Sequence, residues 1–211
     1  MDADFDLYRL TDEHEAVRDA VRAVCTDKVA PHAADVDATG TFPQASYDAL
    51  RAAEFHAPHI PEKYGGAGAD ALATCLVVEE VARACASTSL IPAVNKLSTM
   101  PLLLAGSEEV KARYLPPVAA GDALFSYGLS EREAGSDTAS MKARAVPDGD
   151  GWVLSGQKSW TTNAGVSAYC TVLADTEPEA GSRGISAFVV EATDEGFSVG
   201  APERKLGIRG S

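Results

Sequence analysis

The spacing of apolar residues changes once along this chain, near Gly121-Asp122, and that change limits the fold more than any other feature. Upstream, apolar positions recur at helical intervals. Val17, Ala20, Val21 and Val24 follow a start at Thr11, with Asp12, Glu13 and Glu15 near the positive end of a helix dipole. Pro31 ends or kinks this first helix. Pro43 opens a second, with Tyr47 and Leu50 on its apolar face. Asp70 caps a third that runs to about Ala86. A fourth spans Leu90 to Ala105, and a fifth, capped by Ser107, runs from Glu108 to about Ala119 with Pro116 disturbing its last turn. Downstream the period shortens to two. Met141, Ala143 and Ala145 alternate with Lys142 and Arg144, and Asp148-Gly149-Asp150-Gly151 turns the chain into a partner strand at Trp152-Val153-Leu154. Leu124–Leu129, Tyr169–Ala174, Gly184–Val190 and Phe197–Val199 are further strand-like runs. Helices first and strands after predict an α+β chain, with an all-α domain over residues 1–122 and a β domain over 123–211.

The third helix is apolar nearly all round, at Leu72, Ala73, Cys75, Leu76, Val77, Val78 and Val81, which predicts burial in a bundle with Glu79 and Glu80 on a solvated stripe. A formal net charge of −13 argues against nucleic acid or an anionic membrane as partner. No apolar run approaches the length of a membrane span, and the acidic start Met1-Asp2-Ala3-Asp4-Phe5-Asp6 lacks a signal-peptide core, so a cytoplasmic protein is expected. Cys25, Cys75, Cys85 and Cys170 are scattered without a Cys-x-x-Cys pair and read as small buried hydrophobes. His56 and His59 lie in a loop rich in Pro and Gly with no third ligand nearby, so no metal site is assigned.

Two polar stretches interrupt the β half. Tyr127 to Asp137 reads Tyr-Gly-Leu-Ser-Glu-Arg-Glu-Ala-Gly-Ser-Asp, with Gly135 and Ser136 at its tip, and Trp160-Thr161-Thr162-Asn163 follows. Small residues let backbone approach a ligand, successive N–H groups favour anions, and hydroxyls at Ser130, Ser136, Thr161 and Thr162 add orientable donors. With the flat wall of Trp160, this set suits a planar, polar-edged ligand carrying phosphates.

These stretches resemble the acyl-CoA dehydrogenase family. Gly128-Leu129-Ser130-Glu131, Ala134-Gly135-Ser136-Asp137 and Ser140 are similar to its signature, and Trp160-Thr161-Thr162-Asn163 to its second flavin segment. Pro61-Glu62-Lys63-Tyr64-Gly65-Gly66 resembles its Pro-x-x-Tyr-Gly-Gly loop, and Lys205 to Ser211 the end of its middle domain. Arg132 stands where the family commonly has Pro, and Thr161 where it commonly has Ile. The resemblance implies a helical domain followed by a β-barrel-like middle domain. It implies FAD as cofactor and α,β-dehydrogenation of acyl-CoA thioesters in fatty or branched-chain acid oxidation. Electron-transfer flavoprotein is the implied electron acceptor, and a homo-oligomer, tetrameric in complete family enzymes, the implied assembly. By the same resemblance Tyr127, Leu129 and Ser130 meet the pyrimidine end of the flavin, Thr162 its N5 side, and Thr161 and Trp160 the ring, while Gly135 and Ser136 reach the pyrophosphate. Ser136 and Ser182 become substrate contacts, and Asn95 to Pro101, including Lys96, line the acyl pocket.

The likeness covers nearly the whole chain but only about the first half of a typical member. The family's catalytic glutamate lies in a C-terminal helical domain that the chain stops short of, so no catalytic residue is assigned. The chain alone is expected to be inactive, and Glu131 to be structural. Two alternatives stand beside this reading. One is a non-catalytic or split-enzyme fragment that needs a separate C-terminal chain, and the other is an acyl-CoA oxidase relative.

Overall fold

A computed structural model describes residues 9–211. The acidic segment Met1 to Asp6, on which the expectation about a leader rested, lies outside the described residues. The helical part comprises α1 (Asp12–Val24), α2 (Ala33–Thr39), α3 (Gln44–Ala52), α4 (Ala71–Ala84), α5 (Ala86–Ala105) and α6 (Glu108–Ala119). Side-chain caps start three of them where the sequence indicates. Thr11, Asp70 and Ser107 accept the N–H groups of His14, Ala73 and Val110. Pro31 redirects the chain without ending the helical run. A widened π turn at Cys25–Val29 and a tight turn at Ala30–His32 join α1 to α2, because proline has no N–H to donate and its ring clashes with the preceding turn. Pro116 does not break α6, which continues through Pro116 and Pro117 to Ala119.

α4 corrects the expectation that it is buried nearly all round. Leu72 is 44 % exposed and Cys75 is exposed, so Cys75 is also not the buried hydrophobe expected, whereas Cys25, Cys85 and Cys170 are. Glu79 is solvated as expected, but Glu80 is buried at 3 % exposure. Its carboxylate accepts Arg22 Nε and Nη2 from α1, at 3.0 and 2.7 Å, and Arg83 Nη1 at 2.7 Å. The Arg22 bond is the main cause holding its pKa below the ordinary value. A buried carboxylate persists when it is paired, and its chief partner here lies 58 positions away, beyond the reach of local pattern. The helical core joins Val21, Cys25, Val29, Val36, Leu50, Val77, Val81 and Cys85. Replacing Asp70 with alanine removes the α4 cap and is expected to lower stability by about 1 kcal/mol, read as a shift in the urea midpoint at unchanged slope. An unchanged midpoint would show that the cap contributes nothing.

The second part is one mixed sheet of β1 (Phe125–Gly128), β2 (Arg144–Asp148), β3 (Gly151–Ser155), β4 (Tyr169–Asp175) and β5 (Ile185–Glu191). β4 is central. β5 pairs with it antiparallel along its whole length, and β1 pairs parallel to Tyr169–Val172. β2 joins farther along through Arg144 and Asp175, and β2 and β3 form the expected hairpin with Gly149 in the left-handed region. The expected strand at Phe197–Val199 does not form. Residues 197–205 carry no regular structure and Val199 is 47 % exposed. Three alternating residues after a turn at Gly196 are too short a pattern to specify a partner.

The two parts are joined through buried polar bonds. Phe125 at the start of β1 donates its N–H to Asn95 Oδ1 of α5 (3.1 Å), and Asn95 Nδ2 donates to the His56 carbonyl (3.0 Å). Thr171 in β4 donates its hydroxyl to the Ser98 carbonyl (2.7 Å). Around these bonds Ala57, Ile60, Tyr64, Leu102, Tyr114, Leu115, Val118, Ala123 and Phe125 form a second core. The tail returns to the helices, where Gly210 donates to Ser87 Oγ at 3.2 Å. A Cβ on Gly210 would lie 2.5 Å from Val36 Cγ1, so only glycine fits that contact.

Candidate functional site

Leaving β1 at Gly128, the chain enters the loop that the sequence singled out, and one ion pair organises it. Glu131 is buried and Lys158 half-buried, at 6 % and 10 % side-chain exposure, and their oxygen and nitrogen lie 2.7 Å apart. Glu131 also accepts the backbone N–H groups of Lys142 (2.5 Å) and Ala143 (3.0 Å), which closes the loop between them. Lys158 donates to the Leu129 carbonyl as well, at 3.1 Å. Burial by itself would raise the Glu131 pKa, but the bonds from Lys158, Lys142 and Ala143 outweigh it and hold the carboxyl below its ordinary range. Gly128 lies close beneath this pair, and a Cβ there would press on Lys158 Cγ at 3.2 Å.

This arrangement brings the two polar stretches together. Ser159 donates its N–H to the Ser130 carbonyl at 2.7 Å, so the Leu129–Ser130 segment runs beside Ser159–Thr162. Trp160 (φ 61°) and Asn163 (φ 62°) both adopt left-handed backbone. Asn163 is buried, and its carbonyl accepts the N–H groups of Val166 and Ser167 and the Ser167 hydroxyl. Anchored at both ends, the segment lifts Trp160 outward to 71 % exposure, with Thr161 and Thr162 half-buried beside it.

The remaining candidates fall around this pair of segments. Tyr127 on β1, Leu129 and Ser130 are half-buried, and burial pushes the Tyr127 phenol pKa up. Gly135 and Ser136 are exposed at the loop tip, and a Cβ added at Gly135 would meet nothing within 4 Å. Ser182 is exposed in the turn Pro178–Gly184, which packs against the turn Thr138–Ser140 that closely follows Ser136. Side chains sort into two groups. The hydroxyls of Ser126, Ser140, Ser167 and Thr171 bond internally. Those of Tyr127, Ser130, Ser136, Thr161 and Thr162 make no internal hydrogen bond among the described residues. The hydroxyls of Thr138, Ser155 and Ser159, nearby in sequence, are likewise without an internal bond among the described residues.

Other residues named from the sequence make internal bonds. Asn95, Ser98 and Thr99 are buried against the sheet and the His56 loop, so within the Asn95–Pro101 stretch only Lys96, Leu97, Met100 and Pro101 reach the surface. Tyr64 of the Tyr-Gly-Gly loop is buried and donates its hydroxyl to Glu108 at 2.9 Å. His56 and His59 are buried too, bonded to the Val118 carbonyl and the Thr99 hydroxyl respectively. A cleft of about 290 Å³ between α3 and the Gly121–Leu124 junction contains none of the nominated residues. The candidate site is an open face rather than that cleft, because the unengaged donors lie on the face. Sequence reasoning did not single out Lys158. Its partner is 27 positions away, and a lone lysine before Trp160 carries no local sign of burial.

Residues 11–122 match the family model for the acyl-CoA dehydrogenase N-terminal domain and residues 126–211 that for its middle domain. The chain is 58 % identical to a probable acyl-CoA dehydrogenase, FadE25, of Mycobacterium tuberculosis, over 98 % of its own length and 53 % of that protein. Among solved structures, it is similar to a chain described under electron transferring flavoprotein of Acidaminococcus fermentans. That chain is 32 % identical with a TM-score of 0.91, and the match covers 96 % of this chain and 54 % of that one. It is also similar to a glutaryl-CoA dehydrogenase of Mycobacterium smegmatis solved with FADH2. There the identity is 30 % and the TM-score 0.86, over 98 % of this chain and 52 % of that one. The chain spans about half the length of the curated relatives it matches.

Proposed function

Because the chain belongs to the acyl-CoA dehydrogenase family, we propose that it carries the flavin-facing part of an enzyme that desaturates acyl-CoA thioesters between the α and β carbons. FAD is the proposed cofactor. The observation that carries this reading is the cluster of unengaged hydroxyls at Tyr127, Ser130, Thr161 and Thr162, set beside an exposed Trp160 and an open Gly135. These residues fit a planar group with polar edges and a phosphate tail, since each hydroxyl offers a short donor and the glycine admits close backbone approach.

When bound, FAD supplies the two-electron acceptor for the reaction. The chain's own residues supply contact and orientation. Ser130 and Tyr127 donate to the polar edge of the ring system, where negative charge on reduction is stabilised by fixed donors. Thr162 would offer its hydroxyl to the ring system, and Trp160 would give it an apolar wall. Ser136 and Ser182, on neighbouring turns, offer hydroxyls to the CoA portion of a substrate. Glu131 is not the base that takes the α-proton, because both its oxygens are occupied by Lys158 and two backbone N–H groups. No carboxylate of residues 9–211 is assigned that role, so these residues alone are proposed to be inactive. Electron-transfer flavoprotein as acceptor, a homo-oligomeric assembly, a cytoplasmic setting and the division into domains 1–122 and 123–211 complete the proposal.

The test is acyl-CoA-dependent dye reduction by the native full-length protein with FAD, across short to long chains. A protein that takes up no flavin and reduces no dye with any thioester would overturn the reading. Thr162→Val is expected to weaken FAD binding about fivefold, from the loss of one hydrogen bond of roughly 1 kcal/mol. Flavin fluorescence quenching reads that change, and an unchanged affinity would remove Thr162 from the site.

A further inference from the structure

We infer that the Glu131–Lys158 ion pair is the positioning device of this face, and that affinity for a planar, phosphate-bearing ligand is set through it. This rests on the flavin reading of the site. Neither residue is placed to touch a ligand. Lys158 spends its donors on Glu131, the Leu129 carbonyl and, at 3.9 Å, the Met141 sulfur. Glu131 spends both oxygens on Lys158, Lys142 and Ala143. Removing two charges from water is costly, and an apolar pair of the same volume would stabilise a fold as well or better. What the ion pair adds here is geometry. It ties three separate stretches of chain to one point, at 129–131, 141–143 and 158.

The consequences reach every nominated contact. The loop carrying Gly135 and Ser136 is closed by Glu131 reaching Lys142 and Ala143. A reciprocal pair of backbone bonds between Glu131 and Ala134 tightens its first turn. The carbonyl of Leu129 is held by Lys158, which orients the peptide leading into Ser130. Two residues beyond Lys158 the chain turns left-handed at Trp160 and presents Thr161 and Thr162. Loosening the pair therefore moves donors on both segments together, although no ligand-facing group has been altered.

The experiment measures FAD affinity by fluorescence quenching and the thermal midpoint in the native full-length protein, for Lys158→Met, the double variant Glu131→Gln with Lys158→Met, and Lys158→Arg. Lys158→Met strands a buried carboxylate and is expected to lose both stability and, on the order of tenfold, FAD affinity. The double variant removes the stranded charge, so its midpoint recovers toward wild type. Its affinity stays on the order of tenfold weak, because the Leu129 carbonyl has still lost its donor. That separation of affinity from stability is what a merely structural pair would not show. Lys158→Arg keeps the charge with a longer, planar head, and intermediate affinity at a near-native midpoint is expected. It decides the matter should the other two fail to fold. Wild-type affinity in any folded variant, or affinity that follows the midpoint across all of them, overturns the inference. A wild-type protein that takes up no FAD overturns the flavin reading as well, which separates the two failures.

Discussion

Asn95→Leu is expected to lower the unfolding free energy by about 3 kcal/mol, the sum of two buried backbone groups left without partners at roughly 1–3 kcal/mol each. Asn95 is 1 % exposed and satisfies the Phe125 N–H with its oxygen and the His56 carbonyl with its nitrogen. Leucine has nearly the same volume, so no cavity opens and the loss is one of hydrogen bonding. The two orphaned groups belong to the first residue of β1 and to the loop before α4. The change therefore acts at the joint between helices and sheet, and the Ser98–Thr171 bond remains as the neighbouring tie. Urea unfolding followed by tryptophan fluorescence measures it, since both tryptophans, Trp152 and Trp160, lie in the sheet part. A loss below about 1 kcal/mol would show that the backbone relaxes to repair both bonds.

Acid is expected to destabilise the fold over a window that begins well above the carboxylates. The Val118 carbonyl can only accept, so His56 carries its proton on Nε2. The Thr99 hydroxyl already donates to the Asn95 carbonyl, so His59 donates to it through Nε2 as well. Both Nδ1 atoms are buried and without partners. Protonating either ring places a charge in the core, which pushes both pKa values down. His59 falls from the ordinary 6.5 to about 4, through burial first, then the Lys96 charge and the neighbouring His56. His56 is lowered in the same direction, through burial first, with Arg51 adding repulsion. The sign follows from linkage. Below pH 6.5 the unfolded chain binds a proton that the folded chain refuses, so stability is whole above 6.5 and is lost as pH falls toward 4. For His59 alone the loss amounts to about 3 kcal/mol. Glu80 and Glu131, also held below their ordinary 4.5, add their losses only beneath that value. His59→Leu should flatten the stability profile between pH 6.5 and 4, with Thr99 still anchored on Asn95. A profile unchanged by that substitution would show that His59 is hydrated and titrates normally.

Local chemistry determined much of this protein. Thr11, Asp70 and Ser107 start helices because a side-chain oxygen answers an orphan N–H within three residues. Asp148 to Gly151 makes a hairpin because glycine permits the turn. The order of periods separated helices from sheet, and small and hydroxyl residues marked the two loops. Each of these signals is read within a few positions of itself.

Tertiary structure alone decided what spans distance. Glu80 looked like a solvated stripe until Arg22 arrived from α1, and Phe197–Val199 looked like a strand until no edge met it. Asn95, named only as pocket lining, also proves to be a bond between helices and sheet. Glu131 and Lys158, 27 positions apart, bring the two loops into one face and leave Ser130, Thr161 and Thr162 with their hydroxyls unspent. A buried charge is tolerable only beside its partner, and which residue is the partner depends on how distant segments pack. That is information no stretch of sequence holds by itself.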